Sequence, residues 1–132
     1  MRAVLDASAL LALLKSEPGH EEVETALLGG AVMHAVNWAE TLSKLAEAGV
    51  APADVERDLT ERGVLHEALV IDIGQPVDAV VVAELRPVTR SVGLSLGDRF
   101  CLALGRRLGL PVLTADRAWS ALVVGVDVQV VR

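Results

Sequence analysis

Four carboxylates fall where a chain of alternating strands and helices turns from one element to the next. Asp6 directly follows the apolar run Ala3-Val4-Leu5, and Asp116 comes just after Val112-Leu113. Glu40 and Asp98 sit in the first turns of two amphipathic stretches. In an open α/β sheet the carboxyl ends of the strands line the binding crevice, and all four acids map to that edge. Carboxylates converging on one pocket repel, which costs stability unless a cation binds between them. Hard divalent cations take oxygen ligands, and Mg²⁺ commonly combines a few carboxylates with waters and phosphate oxygens. Such a site orients a water and stabilises a phosphodiester transition state without a His, Lys or Cys base. Each acid also has a local use. Asp6 can cap the following helix, Asn37 with Glu40 and Ser95 with Asp98 match capping boxes, and Asp116 can cap a turn before Trp119.

Positioning these acids is the task of the elements between them. Short Val-rich runs alternate with amphipathic stretches, which predicts an α/β fold with a mostly parallel sheet. Strands are expected at Arg2–Leu5, Ala31–Val36, Leu69–Ile73, Val112–Leu113 and Val126–Val131. Helices are expected over Ser8–Lys15, His20–Leu28, Asn37–Ala48 with Asn37 as N-cap, Pro52–Arg62 and Leu96–Leu108. Val77–Leu85 has a strand-like Val content, but Asp78 and Glu84 at helical spacing favour a helix. No repeat, linker or low-complexity tract divides the chain, so residues 1–132 read as one domain.

The segments Val4-Leu5-Asp6-Ala7-Ser8, Asn37 to Glu40, Ser95-Leu96-Gly97-Asp98-Arg99-Phe100-Cys101-Leu102-Ala103-Leu104 and Leu113-Thr114-Ala115-Asp116-Arg117 together resemble the PIN-domain ribonucleases. The block from Leu96 to Leu104 is especially similar to the VapC-type toxins of bacterial toxin–antitoxin pairs. The resemblance covers essentially the whole chain. It implies a three-layer fold, with a parallel sheet of about five strands flanked by helices. It implies an acidic site holding Mg²⁺ or Mn²⁺, cleavage of RNA to a 5′-phosphate and a 3′-hydroxyl, and inhibition by a small cognate VapB-like antitoxin. Residue by residue, Asp6, Glu40, Asp98 and Asp116 match the family's acidic positions, and Ser8 and Thr114 its small hydroxyl positions. Glu24 and Glu47 are poorer candidates, because both lie away from the expected strand edge.

Composition narrows the alternatives. The chain has 132 residues, enough to bury about two-thirds of its unfolded surface. Twelve basic residues face eighteen acidic ones for a net charge of −6, so no diffuse basic footprint for nucleic acid exists. Contacts to RNA phosphates are therefore expected from a few arginines: Arg86, Arg90, Arg99 and Arg117. With no Tyr and one Phe, a base-stacking platform is not expected. Trp38 and Trp119 read as packing residues, and the lone Cys101 as a small buried apolar one, without disulfide or zinc chemistry. His20, His34 and His66 share no ligand spacing. The early break at Asp6 argues against a signal peptide, and no apolar run nears the ~18 residues of a membrane span, so a cytoplasmic protein is expected. Apolar faces near Leu10–Leu14 and Leu42–Leu45 suit an antitoxin helix or a second copy of the chain.

Two other readings remain. One is a PIN-type nuclease of RNA maturation outside any toxin pair. The other is a receiver-like signalling domain. A receiver would want paired acids after the first strand and a Lys near the last. The chain has the single acid Asp6 there, and its only lysines are Lys15 and Lys44.

Overall fold

The computed structural model describes residues 2–132, so Met1, at the start of the apolar segment read above, lies outside it. Five strands form one parallel sheet: β1 (Ala3–Leu5), β2 (Ala31–His34), β3 (Leu69–Asp72), β4 (Val112–Thr114) and β5 (Val128–Val130), in the spatial order β3-β2-β1-β4-β5. Six helices connect them: α1 (Ala7–Leu14), α2 (His20–Leu28), α3 (Ala35–Glu47), α4 (Pro52–Glu61), α5 (Pro76–Thr89) and α6 (Leu96–Leu108). This is the expected α/β architecture. Among the described residues no helix is long and apolar enough to cross a membrane.

The sheet separates two apolar layers, and the strand period of two assigns residues to each. Ala3 and Leu5 of β1, Ala31 and Met33 of β2 and Leu113 of β4 face a core shared with Ala9, Leu10, Val23, Trp38 and Leu59. Val4, Val32 and Val112 face the other way, onto Leu85, Cys101, Leu102, Leu104 and Trp119. Cys101, Trp38 and Trp119 are core residues, as read. After β3 the chain crosses the sheet to add β4 beside β1. The β1–β4 boundary is therefore where the strand order reverses, the place where such sheets bind ligands.

Most elements differ from expectation by one residue at an end, and the last strand, expected at Val126–Val131, is only Val128–Val130; two further differences bear on the site. The second strand stops at His34, and α3 begins at Ala35. The imidazole Nδ1 of His34 accepts the Val36 N–H at 3.1 Å and caps the helix itself. Asn37 is thus the third residue of α3, not its N-cap, and is buried. The ambiguous Val-rich segment is helical and runs on through Pro87 to Thr89. Buried Leu85 and Thr89 on either side of the proline hold that last turn onto the protein.

Candidate active site

Asp6 leaves β1 and caps α1, its Oδ1 accepting the Ala9 N–H at 2.8 Å. The Ser8 hydroxyl lies 2.8 and 2.9 Å from its two carboxylate oxygens, and the Thr114 hydroxyl donates to Oδ2. Those hydroxyls also tie down the end of β4. Ser8 Oγ accepts the Ala115 N–H at 2.9 Å, and Thr114 Oγ1 accepts the Asp116 N–H at 3.1 Å. Asp6 is only 3% exposed, and this burial pushes its carboxyl up to about 6. The hydrogen bonds from Thr114, Ala9 and Ser8 work against that rise, while the negative charge of Asp98 adds to it.

Asp98 is the third residue of α6 and closes a capping box with Ser95. Its Oδ2 accepts the Ser95 N–H at 2.8 Å, and its own N–H donates to Ser95 Oγ at 3.1 Å. Glu40 stands half-buried on α3. Its carboxyl is raised by burial and then by the charge of Asp98, while the Asn37 amide and Lys44 lower it. Its carboxylate rests on the first turn of α6, where a methyl group on Gly97 would overlap it. Asp6 and Glu40 therefore both lie within reach of the Asp98 charge. The Cys101 thiol, fully buried below them, is held protonated by its burial and then by the charges of Asp6, Asp98 and Glu40.

Asp116 is looser. It is exposed and caps the 3-10 turn Arg117–Ala121, its Oδ1 accepting the Ala118 N–H at 2.9 Å. Its link to the others is the backbone hydrogen bond to Thr114, whose hydroxyl holds Asp6. Among the described residues, no three of these four acids bring carboxylate oxygens within 4.8 Å of one another. The arrangement is wider than the tight cage expected from the sequence, because Asp98 and Asp116 each commit one oxygen to a local cap. It fits a cation that keeps several of its waters. Three features accord with Mg²⁺ or Mn²⁺. The donors are all oxygens, the charge of Asp98 raises the proton affinity of Asp6 and of Glu40, and the buried Asn37 Oδ1 has no hydrogen-bond partner within the chain.

His34, Asp72 and Asp78 do come within that distance of one another, and this group escaped the sequence reading. It lies on the β2–β3 side, with the His34 ring packed on Phe100 of α6 at a centroid distance of 4.9 Å. Its charge is already met. Arg107 reaches Asp72 at 2.7 Å and Asp78 at 2.9 Å, and His34 Nε2 lies 3.2 Å from Asp78. Both carboxyls are held below their usual range. For Asp72 the leading cause is the Arg107 hydrogen bond; for Asp78 burial pushes upward, but Arg107, the Gln75 N–H and His34 outweigh it. A cation would have to displace a guanidinium already forked onto both acids, so this is an ion-pair network.

The arginines divide. Arg86, Arg90 and Arg117 are exposed. Arg99 corrects the expectation of a phosphate contact: it is buried, with Nη1 donating to the Val82 carbonyl at 2.9 Å. Its position one residue after Asp98 turns it to the α5 side of the helix. Arg117 instead borders an open groove of about 700 Å³ beside the site, with Ser8, Asp116 and Arg132. In the sequence Asn37 reads only as the helix-cap partner of Glu40, and Arg132 is not singled out. For Asn37 the available signal was its place three residues before Glu40, where helical side chains share a face.

A family model described as PIN domain matches residues 3–124. No curated protein matches the sequence. Among solved structures, the chain is similar to a DNA-bound VapBC from Salmonella typhimurium, with a TM-score of 0.71 at 15% identity, covering 100% of this chain and 99% of that one. A toxin–antitoxin complex from Klebsiella pneumoniae gives 0.68 at 17% identity, with 98% of each chain covered. FitAcB from Neisseria gonorrhoeae gives 0.63 at 21% identity, covering 96% and 95%. At these identities the likeness is one of fold.

Proposed function

The chain belongs to the PIN-domain family, and from that premise we propose that it is a divalent-metal-dependent endoribonuclease, the toxin of a toxin–antitoxin pair. The observation that carries the reading is the placement of Asp6 at the end of β1, at the strand-order reversal, with Glu40 resting on the α6 turn that carries Asp98 and the Asp98 charge acting on both other carboxyls. Asp6, Asp98 and Glu40 would hold Mg²⁺ or Mn²⁺ directly or through water, with Asp116 completing the site. The ion supplies Lewis-acid activation of water and charge stabilisation at the phosphodiester. The chain's own residues do the rest. Ser8 and Thr114 hold the Asp6 carboxylate by both oxygens and so fix its orientation at the end of β1. The Ser95 cap fixes the backbone of the turn that carries Asp98. Arg117, beside the groove next to Asp116, is suited to grip a phosphate of the RNA strand, with Arg86 and Arg90 as outlying contacts.

Two surfaces support the partners. A groove of about 370 Å³ runs between α1, α3 and α4, lined by Leu14, Leu45, Val50, Val55 and Leu59 with Asp54 and Asp58. An amphipathic antitoxin helix suits its apolar floor, while Asp54 and Asp58 on the rim are paired with Arg57 and Arg62. The exposed Val77, Val80 and Val88 of α5 suit a second copy of the chain, giving a homodimer.

The test is cleavage of RNA with Mg²⁺ or Mn²⁺, with EDTA, and by Asp6→Asn and Asp98→Asn. Metal-dependent cleavage lost at least a hundredfold in both variants is expected; equal cleavage in every condition refutes the reading.

A further inference from the structure

Asn37 is 1% exposed and lies within a helix, where asparagine is a poor former. Its side chain bridges two elements. Nδ2 donates to Glu40 Oε1 at 3.0 Å on its own helix and to the Gly97 carbonyl at 2.9 Å on the first turn of α6. Both partners are acceptors, so the amide nitrogen, not the oxygen, must face them. Both amide hydrogens are thereby committed, while Oδ1, buried, has no partner in the chain. The residue after Gly97 is Asp98. One amide therefore ties the glutamate of α3 to the turn that carries the aspartate of α6. The bare Cα of Gly97 leaves room for the Glu40 carboxylate against that turn.

We infer that Asn37 is a positioning residue of the active site, holding the Glu40 carboxylate beside Asp98 through a clamp on the Gly97 carbonyl. Without it, Glu40 is free to swing away. It is half-buried, repelled by Asp98, and attracted outward by Lys44 one helical turn on. The amide donor counters both forces at once, and it keeps the two carboxylates close enough to share a hydrated cation. The inference rests on the reading of Glu40 and Asp98 as metal-site residues.

The experiment uses the metal-free full chain and follows Mn²⁺ affinity by calorimetry, melting temperature, and kcat and KM on RNA. Partners that orient ligands from behind are worth about 10- to 100-fold in metal affinity. Asn37→Ala is expected to weaken Mn²⁺ binding at least tenfold and to lower kcat similarly, with KM within about twofold of wild type. Asn37→Leu keeps the branched shape and close to the volume of the side chain but loses the donor, so it reports even if the alanine variant fails to fold. In a Glu40→Gln background either change should alter Mn²⁺ affinity less than about twofold, because its effect passes through Glu40. A lower melting temperature with unchanged Mn²⁺ affinity and kcat would make Asn37 a structural bridge only and overturn the inference. Wild type that binds no Mn²⁺, or Asp98→Asn that binds it equally well, would instead overturn the underlying site.

Discussion

At the residue scale, Asp6 holds its proton more tightly folded than unfolded, at about 6 against an ordinary 3.8. Its contribution to the stability of the metal-free protein is complete below pH 3.8 and is lost as pH rises through about 6. The loss is roughly 3 kcal/mol by the proton-linkage relation. Glu40, also raised, acts in the same direction. Thermal melts of the metal-free protein should therefore fall between pH 4 and 6.5. Asp6→Asn, which keeps the helix cap, should flatten most of that fall and be the more stable protein at pH 7. A wild-type profile that rises over this window contradicts the burial argument. The sequence announced the acids plainly, because the strand-end positions could be counted; the Ser8 and Thr114 hydroxyls came from the resemblance to the PIN-domain family alone. It did not announce the spacing of the carboxylates, since a capping bond and a ligand bond compete for the same oxygens at Asp98 and Asp116.

At the element scale, α6 joins two charged centres, Asp98 at its start and Arg107 near its end. Arg107→Ala leaves Asp72 and the buried Asp78 without their cation. The expected cost is about 2 kcal/mol, below the 3–5 of fully buried pairs because Arg107 and Asp72 keep some solvent. It should leave Mn²⁺ affinity at the acids following β1 unchanged. Denaturant melts and calorimetry on the same preparation check both halves; a loss of Mn²⁺ affinity equal to that of Asp98→Asn would make the network part of the metal site. Helix and strand order was legible from periodicity, but two ends were not. An imidazole acting as a cap moved the start of α3 to Ala35, and this also hid Asn37 as an interior residue. Pro87 reads as a helix stop, and burial of its neighbours overrode it.

At the scale of the whole molecule, Asp6, Glu40, Asp98 and Asp116 lie far apart in the sequence, and the strand order brings their elements to one edge of the sheet. β4 inserts beside β1, which brings residues more than a hundred positions apart into hydrogen-bond contact, as Thr114 and Asp6 are. Binding an ion to the folded state alone raises stability. Mn²⁺ at about 100 times its Kd should add about 2.7 kcal/mol, raising the melting temperature by about 10 °C at this length. Asp6→Asn and Asp98→Asn should each keep less than half of that shift, and an equal shift in all three proteins would place the ion elsewhere. The fold class and the site's edge of the sheet followed from the pattern of apolar runs. The inward turn of Arg99 did not, because its burial depends on how α5 packs against α6.

The most direct measurement is anomalous diffraction from crystals of the full chain soaked in MnCl₂. The account predicts a Mn²⁺ peak between Asp6, Asp98 and Glu40, ligated by their oxygens directly or through ordered water. A peak at His34, Asp72 and Asp78 with Arg107 displaced, and none beside Asp6, would contradict it.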